Sequence, residues 1–224
     1  MTGLPRFHLS ADLRDRGLTG AYSLLLGFDQ RAADTDQIRQ FVDQVVASIR
    51  LRPQASAAVR AGYRAMHEAF QVPTRKLFSA PEVLARYVDK RGDIPRIGPL
   101  VDLYNAVSLE TGLALGAHDL RAVIGDISLR LTDGSESYHP IGAPAVEPIR
   151  PGEYAYIDDA NDVICRLEVR QVEKTKVVPT TTDVFLIVQG NAATPAGLIV
   201  AGHDRMISVL QRFLGGTLVP LFRP

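Results

Sequence analysis

Three features of the chain predict an α+β fold. Apolar residues recur at helical spacing through the first half, the repeat changes to two beyond about residue 117, and one uninterrupted apolar run, VFLIV, occupies 184–188. Helices gathered ahead of strands, without strand–helix–strand alternation, point away from a parallel α/β sheet. The expected architecture is one domain over 1–224, with N-terminal helices packed on a mostly antiparallel sheet. At 224 residues and 46% hydrophobic content, the chain can bury a substantial core.

Taken in order, residues 18–28 (LTGAYSLLLGF) read as an early buried strand. Asp34 and Gln37 have capping-box spacing, and Ile38, Phe41, Val45 and Ile49 supply the stripe of the helix that follows, ending near Arg52-Pro53. A second helix is predicted over 55–70, stopped before Pro73. Ser79 and Glu82 form another capping box, with Val83, Leu84, Tyr87 and Val88 expected inward. Pro95, Gly98 and Pro99 stiffen and bend the approach to a helix whose stripe is Leu100, Leu103, Val107 and Thr111, widened by Val101 and Tyr104. Asp102, Asn105 and Ser108 decorate it, and Gly112 is placed for a left-handed cap. LALGAHD then reads as a short strand with Gly116 at its centre, where a glycine often marks close approach of backbone or ligand.

Beyond it, Ile127-x-Leu129-x-Leu131, Tyr154-x-Tyr156 and Val163-x-Cys165-x-Leu167-x-Val169 alternate as half-buried strands do. Thr132-Asp133-Gly134 and residues 159–162 are turn clusters between them. VFLIV is expected at the centre of the sheet. A last helix is predicted from Asp204 to about Leu214, with Met206, Val209, Leu210 and Phe213 inward and Gly215-Gly216 as its stop.

Twenty-five basic and 25 acidic residues balance to zero. That argues against a protein living mainly on sequence-independent attraction to nucleic acid, so no DNA partner is expected, while an uneven placement of charge leaves a tRNA partner open. Basic residues nevertheless crowd between 50 and 96, Arg50, Arg60, Arg64, Arg75, Lys76 and Arg86 among them, as solvated helix faces or as a phosphate-contacting surface. No apolar run approaches a membrane span and no basic-then-apolar leader opens the chain, so a cytoplasmic location without membrane contact is expected. The single Cys165 excludes an internal disulfide framework and reads as a packing residue of the run VICRLEV, the other reading being a nucleophile.

The five histidines have no His or Cys partner at ligand spacing, so no metal is expected. No cofactor is expected either, since a phosphate-cradling loop, a dinucleotide fingerprint and a G-x-S-x-G elbow are all missing. Polar clusters are the remaining candidates. Arg166, Glu168 and Arg170 would share one strand face by alternation. Gln171, Glu173, Lys174 and Thr175, followed by three threonines at 180–182, place amide, carboxylate, ammonium and hydroxyl groups on a loop between strands, where pockets concentrate. His118-Asp119 ends the strand after Gly116, and His118 is either a satisfied structural histidine or a proton carrier near neutrality.

The run from Pro95 to Asp119, with LVDLYN, ETG and LGAHD in that order, resembles part of the B3/B4 domain, the editing domain of the phenylalanyl-tRNA synthetase beta subunit. It is still more similar to stand-alone proteins built from that domain. Val59-Arg60, Tyr63-Arg64-Ala65, Pro73-Thr74-Arg75, Pro151-Gly152-Glu153, Cys165-Arg166 and Arg170-Gln171-x-Glu173-Lys174-Thr175 extend the likeness over roughly residues 59–190. The resemblance implies a trans-editing deacylase that hydrolyses the ester of a mischarged tRNA. A positioned water assisted by the vicinal ribose hydroxyl would attack, with donors for the developing oxyanion.

Under that resemblance, His118 and Asp119 are the catalytic candidates. Asn105, Gly116, Arg170, Gln171, Glu173, Lys174 and Thr175 would bind the amino acid and the terminal adenosine. Asp119 suits an α-ammonium or a cationic side chain, and Asp119 with Glu173 is compatible with an arginine analogue such as canavanine. The departures are specific. The family's strand histidine becomes Gly116 and reappears two places later as His118, its editing glutamate falls on Ile187, and its glycine-rich wall becomes residues 168–172. The scaffold is therefore expected to carry over and tyrosine specificity is not. The other readings are a tRNA- or amino-acid-binding module without catalysis and an enzyme acting on a free amino-acid derivative. The residues leave the amino acid, the tRNA and the oligomeric state open.

Overall fold

The computed structural model describes residues 3–52, 56–73 and 77–224. The predicted helix stop at Pro53, the helix start at Ala55, and Thr74, Arg75 and Lys76 lie outside the described residues. In chain order the elements are β1 (Phe7–Leu9), α1 (Ala11–Asp15), β2 (Gly20–Leu26), α2 (Thr35–Leu51), α3 (Ala57–Ala69), α4 (Ala80–Arg91) and α5 (Pro99–Thr111). There follow β3 (Ala114–Asp119), β4 (Ile127–Leu131), β5 (Tyr154–Asp158), β6 (Val163–Arg166), β7 (Arg170–Gln171), β8 (Val184–Gln189), α6 (Ala196–Leu214) and β9 (Thr217–Phe222). No helix among the described residues is long and apolar enough to cross a membrane.

The α+β class is as predicted, but there are two sheets where one was expected. One has the order β3-β8-β2-β9 and is antiparallel throughout; the other is β1-β4-β5-β6-β7, antiparallel except where β1 runs parallel to β4. Three layers result. Helices α2, α4, α5 and α6 cover one face of the four-stranded sheet, and the five-stranded sheet covers the other.

VFLIV shows why. In β8, Val184, Leu186 and Val188 join the core under the helices, while Phe185 and Ile187 join the core between the sheets. Side chains alternate along a strand, so a strand covered on both faces must be apolar at every position. Each fully buried residue of that size contributes about 1.5–3 kcal/mol. Tyr63 of α3 ties the edge of this layer: its hydroxyl donates to the Gln189 carbonyl and accepts from Ala114 N at 2.8 Å.

Local signals held in several places. Asp34 accepts from Asp36 N and Gln37 N while the Gln37 amide returns to it at 2.8 Å. Gly112 adopts φ 74° as the cap of α5. Asp102 accepts from Ile97 N and Gly98 N at 2.7 and 3.2 Å, fixing the bend that leads into α5.

Others did not. Ser79 precedes α4 but makes no side-chain cap, because Glu82 turns outward to bond Arg64 and Arg86; Val83 is exposed. Helix α6 starts eight residues before Asp204, since Gly202 serves close packing on Leu113 and does not break the helix. Strands β1 and β9 carry no alternation strong enough to predict; β9 even holds Pro220, tolerated because it is an edge strand.

A larger departure lies after β6. Val163-x-Cys165-x-Leu167-x-Val169 is not one alternating strand, because Leu167 takes φ 54°, a left-handed conformation. The turn inverts the side-chain sequence, so Arg166, Glu168 and Arg170 do not share a face. Arg166 pairs with Glu153, Glu168 is buried between the sheets, and Arg170 is exposed.

Candidate functional site

Strand β3 sets one wall. Its period of two sends Leu115 and Ala117 under the helices and turns Gly116 and His118 toward the other sheet, with Ile187 directly across from Gly116. Helix α5 adds Tyr104 and Asn105, β5 and β6 add Tyr156 and Cys165, and the left-handed turn at Leu167 delivers Glu168. Gln171 of β7 completes a half-enclosed cavity of about 140 Å³.

His118 is fully buried there. Its Nδ1 lies 3.0 Å from Thr175 Oγ1, but its Nε2 has no hydrogen-bond partner. Buried polar atoms are nearly always paired, and an unpaired one costs about 1–3 kcal/mol, so the orphan nitrogen calls for a function. Burial pulls the imidazole pKa from 6.5 down to about 3, which keeps the ring neutral at physiological pH. Gly116 creates the room beside it. A methyl group added at Gly116 would lie 3.6 Å from Gln171 Nε2 and 3.9 Å from His118 Nε2, both ordinary contacts.

On the opposite wall the polar groups around Glu168 are occupied. Glu168 Oε1 accepts from His67 Nε2 at 2.6 Å, and Oε2 accepts from the Tyr154 hydroxyl. Gln189 Nε2 reaches Glu168 Oε2 at 3.4 Å, and Gln189 Oε1 accepts from Tyr156 at 2.6 Å. Burial pushes the Tyr154 and Tyr156 phenols well above their ordinary pKa and the Tyr104 phenol up to about 12. Burial likewise raises the Cys165 thiol, so it stays protonated and is a poor nucleophile, in line with packing as its role.

Of the nine residues the sequence singled out, Asn105, Gly116, His118 and Gln171 line this cavity, and Thr175 stands behind His118. The other four do not line it. Asp119 is held by Arg121, with Oδ2 2.6 Å from Arg121 Nη2 and 2.6 Å from Thr181 Oγ1. Burial would raise its pKa, yet those bonds outweigh it and hold the carboxyl below the usual range. Lys174 bridges Asp158 and Asp162, at 2.7 Å from each. Glu173 pairs with Lys176 and accepts from Gly142 N at 2.9 Å. Arg170 faces solvent.

Sequence reasoning missed Glu168, Tyr104 and Tyr156 as cavity groups. The only advance signal was the change in residues 168–172, where the resemblance calls for glycines. Ile187, at the position where the resemblance places a carboxylate, does lie in the cavity, and Glu168 brings a carboxylate there from the opposite sheet.

Two other regions bear on function. A hollow of about 800 Å³ beside Leu4, Leu26, Arg121 and Ile124 is larger, but it is open and, among the described residues, holds no unpaired buried polar atom. Between the helices, Arg50 and Arg60 line a groove of about 290 Å³, and Arg60, Arg64 and Arg86 line a second of about 470 Å³. Arg64 and Arg86 share one carboxylate, Glu82, at 3.1 and 3.0 Å, and the three arginines lining that groove exceed its two acids, Glu82 and Asp89, by one charge. Among the described residues, no three His, Cys, Asp or Glu side chains gather as a metal site.

Residues 73–196, more than half of the chain, match the B3/4 domain family. Among solved structures, the N-terminal fragment of the phenylalanyl-tRNA synthetase beta subunit from Pyrococcus horikoshii has the same fold, with a TM-score of 0.58 at 13% identity. The match covers 97% of this chain and 51% of the fragment, so the chain spans about half the fragment's length. No curated protein matches the chain.

Proposed function

We propose, from the premise that this chain belongs to the B3/4 domain family, that it hydrolyses the ester of a mischarged aminoacyl-tRNA in trans. The observation that carries this reading is the buried, unpaired Nε2 of His118 facing a small cavity beside Gly116. Hydrolysis of an activated ester needs a water, room for the acyl group and a donor for the oxyanion; a strong protein base is optional when a ribose hydroxyl lies next to the ester.

The pKa of about 3 decides which role suits His118. A base that weak takes little proton at neutral pH, but a neutral imidazole can still donate. In the tautomer in which the Thr175 hydroxyl donates to Nδ1, the proton sits on Nε2, the nitrogen nearer Gly116. Water oxygen attacks the ester carbon, the carbonyl oxygen becomes an oxyanion stabilised by Nε2–H, and the bond to the ribose oxygen breaks. The water's proton passes to that ribose oxygen, leaving a free amino acid and an uncharged tRNA end.

The arginine-lined grooves offer a surface for the RNA backbone. Helix α4 connects the two regions, since Ala80 lines the cavity and Arg86 lines a groove about 9 Å further along the same axis. The test is deacylation of a panel of mischarged tRNAs by catalytic amounts of the chain, with release of the free amino acid measured. Acceleration on at least one member is expected. Tight tRNA binding without acceleration on any would replace this reading by that of a binding module.

A further inference from the structure

We infer that the acyl group accepted by this cavity belongs to a small, uncharged amino acid. Alanyl, seryl and threonyl groups fit; arginine-like or tyrosine-like groups do not. This rests on the deacylase reading of the same site and adds the substrate class, from three independent observations.

The first is size. The cavity measures about 140 Å³. A cavity of roughly that volume holds a benzene-sized guest of about six non-hydrogen atoms. An alanyl group has about five such atoms and a threonyl group about seven, whereas arginyl, canavanyl and tyrosyl groups have about eleven or twelve.

The second is charge. Among the described residues, Glu168 is the only carboxylate lining the cavity, and both its oxygens already accept hydrogen bonds, from His67 and from Tyr154. Asp119 and Glu173, which would otherwise suit a guanidino group, are committed to Arg121 and Lys176 away from the cavity. A cationic side chain entering here would lose its hydration with no unpaired carboxylate to meet it.

The third is the position of an unpaired nitrogen, His118 Nε2; the Gln171 amide beside it already bonds the Tyr104 hydroxyl. Gly116 leaves a space one carbon wide in contact with both Gln171 Nε2 and His118 Nε2. Ile187 and Tyr156 supply apolar walls on the other sides. A methyl or hydroxyl group on the ligand's β-carbon fills that space. Gly116 is therefore the specificity-determining position, and a methyl placed there by mutation competes with the ligand's own.

The test is equilibrium binding, by titration calorimetry with the full chain, of non-hydrolysable adenosines carrying alanyl, seryl, threonyl, arginyl or tyrosyl groups in 3′-amide linkage. The first three are expected to bind at least about tenfold more tightly than the last two. Gly116→Ala is expected to weaken threonyl binding about fivefold more than alanyl binding, with the thermal midpoint retained. Preference for the arginyl or tyrosyl compound, no binding by any of them, or an unchanged ranking in Gly116→Ala would each overturn the assignment. Selective binding of the small compounds with no mischarged tRNA hydrolysed would uphold the pocket and refute the deacylase. Hydrolysis confined to arginyl- or tyrosyl-tRNA would do the reverse.

Discussion

His67 and His118 are both buried in the layer between the two sheets, and they have opposite surroundings. His67 is met by Glu168 at 2.6 Å, and the same carboxylate is held by Tyr154 and approached by Gln189, so that cluster is closed. His118 has one partner, Thr175, and a buried Nε2 with none, beside a glycine. Two histidines of equal burial thus separate by hydrogen-bond inventory alone. The saturated one ties helix α3 to the turn after β6, and the unsaturated one is the one assigned to a ligand in the proposed function.

Breaking the saturated cluster is expected to give the largest effect. Glu168→Ala strands the His67 imidazole and the Tyr154 hydroxyl in the interior, which costs about 3–5 kcal/mol. For a chain of this length that is a fall of roughly 10 °C in the thermal midpoint, and Glu168→Gln, keeping shape and one acceptor, should fall about half as far. A midpoint unchanged by Glu168→Ala would remove the structural half of the contrast.

Altering the unsaturated histidine should act on turnover instead. His118→Asn keeps a nitrogen near Thr175 but deletes the group that faces the cavity, and is expected to lower kcat about 10²–10³-fold, the usual effect of removing one oxyanion donor. His118→Gln, which can present its amide near the Nε2 position, should recover part of that loss. Equal loss in both variants, accompanied by unfolding, would make His118 structural like His67.

Lys174 sharpens the contrast from outside the cavity. Its ammonium neutralises Asp158, whose side chain is buried, and Asp162. Lys174→Ala should therefore cost about 1–2 kcal/mol in chemical denaturation, since buried acceptors lose a charged partner, and should leave kcat within about twofold. A hundredfold drop in kcat at full stability would move the site toward residues 173–175.

The mildest probe is pH. His118 has a folded pKa of about 3 against an ordinary value of 6.5, so the unfolded chain takes up the proton first. Stability should fall as pH drops below about 6.5, by about 1.4 kcal/mol per unit from this group alone. Between pH 6.5 and 5, His118→Asn should show a shallower slope than the parent chain in denaturant midpoints. A donor role also predicts no break in the kcat/KM profile near pH 6.5, and a break there that vanishes in His118→Asn would assign proton transfer to the imidazole instead.

Much of this was legible beforehand. Stripes on α2 and α5, the glycine stops at Gly112 and Gly215, and the alternation of β4 and β5 are local patterns, readable because 3.6- and 2-residue repeats are written directly in the chain. Asn105, Gly116, His118 and Gln171 were singled out through the family resemblance, with strand-end and loop polarity also pointing to His118 and Gln171, and they do line one cavity. Glu168 was not legible as a cavity group. The alternating pattern of 163–169 continues through Leu167, and a non-glycine residue at φ 54° leaves no mark in it.

What the sequence alone determined was the α+β class, the kinds and most positions of the elements, and which strand would lie buried on both faces. Only the folded chain decided which acids are spent on bases. Asp119, Glu173 and Lys174 looked available and are paired, whereas Glu168, expected on a strand face with Arg166 and Arg170, is enclosed. Periodicity is a property of neighbours along the backbone; charge pairing and cavity shape depend on groups that meet only when distant segments pack, and no local pattern encodes those meetings.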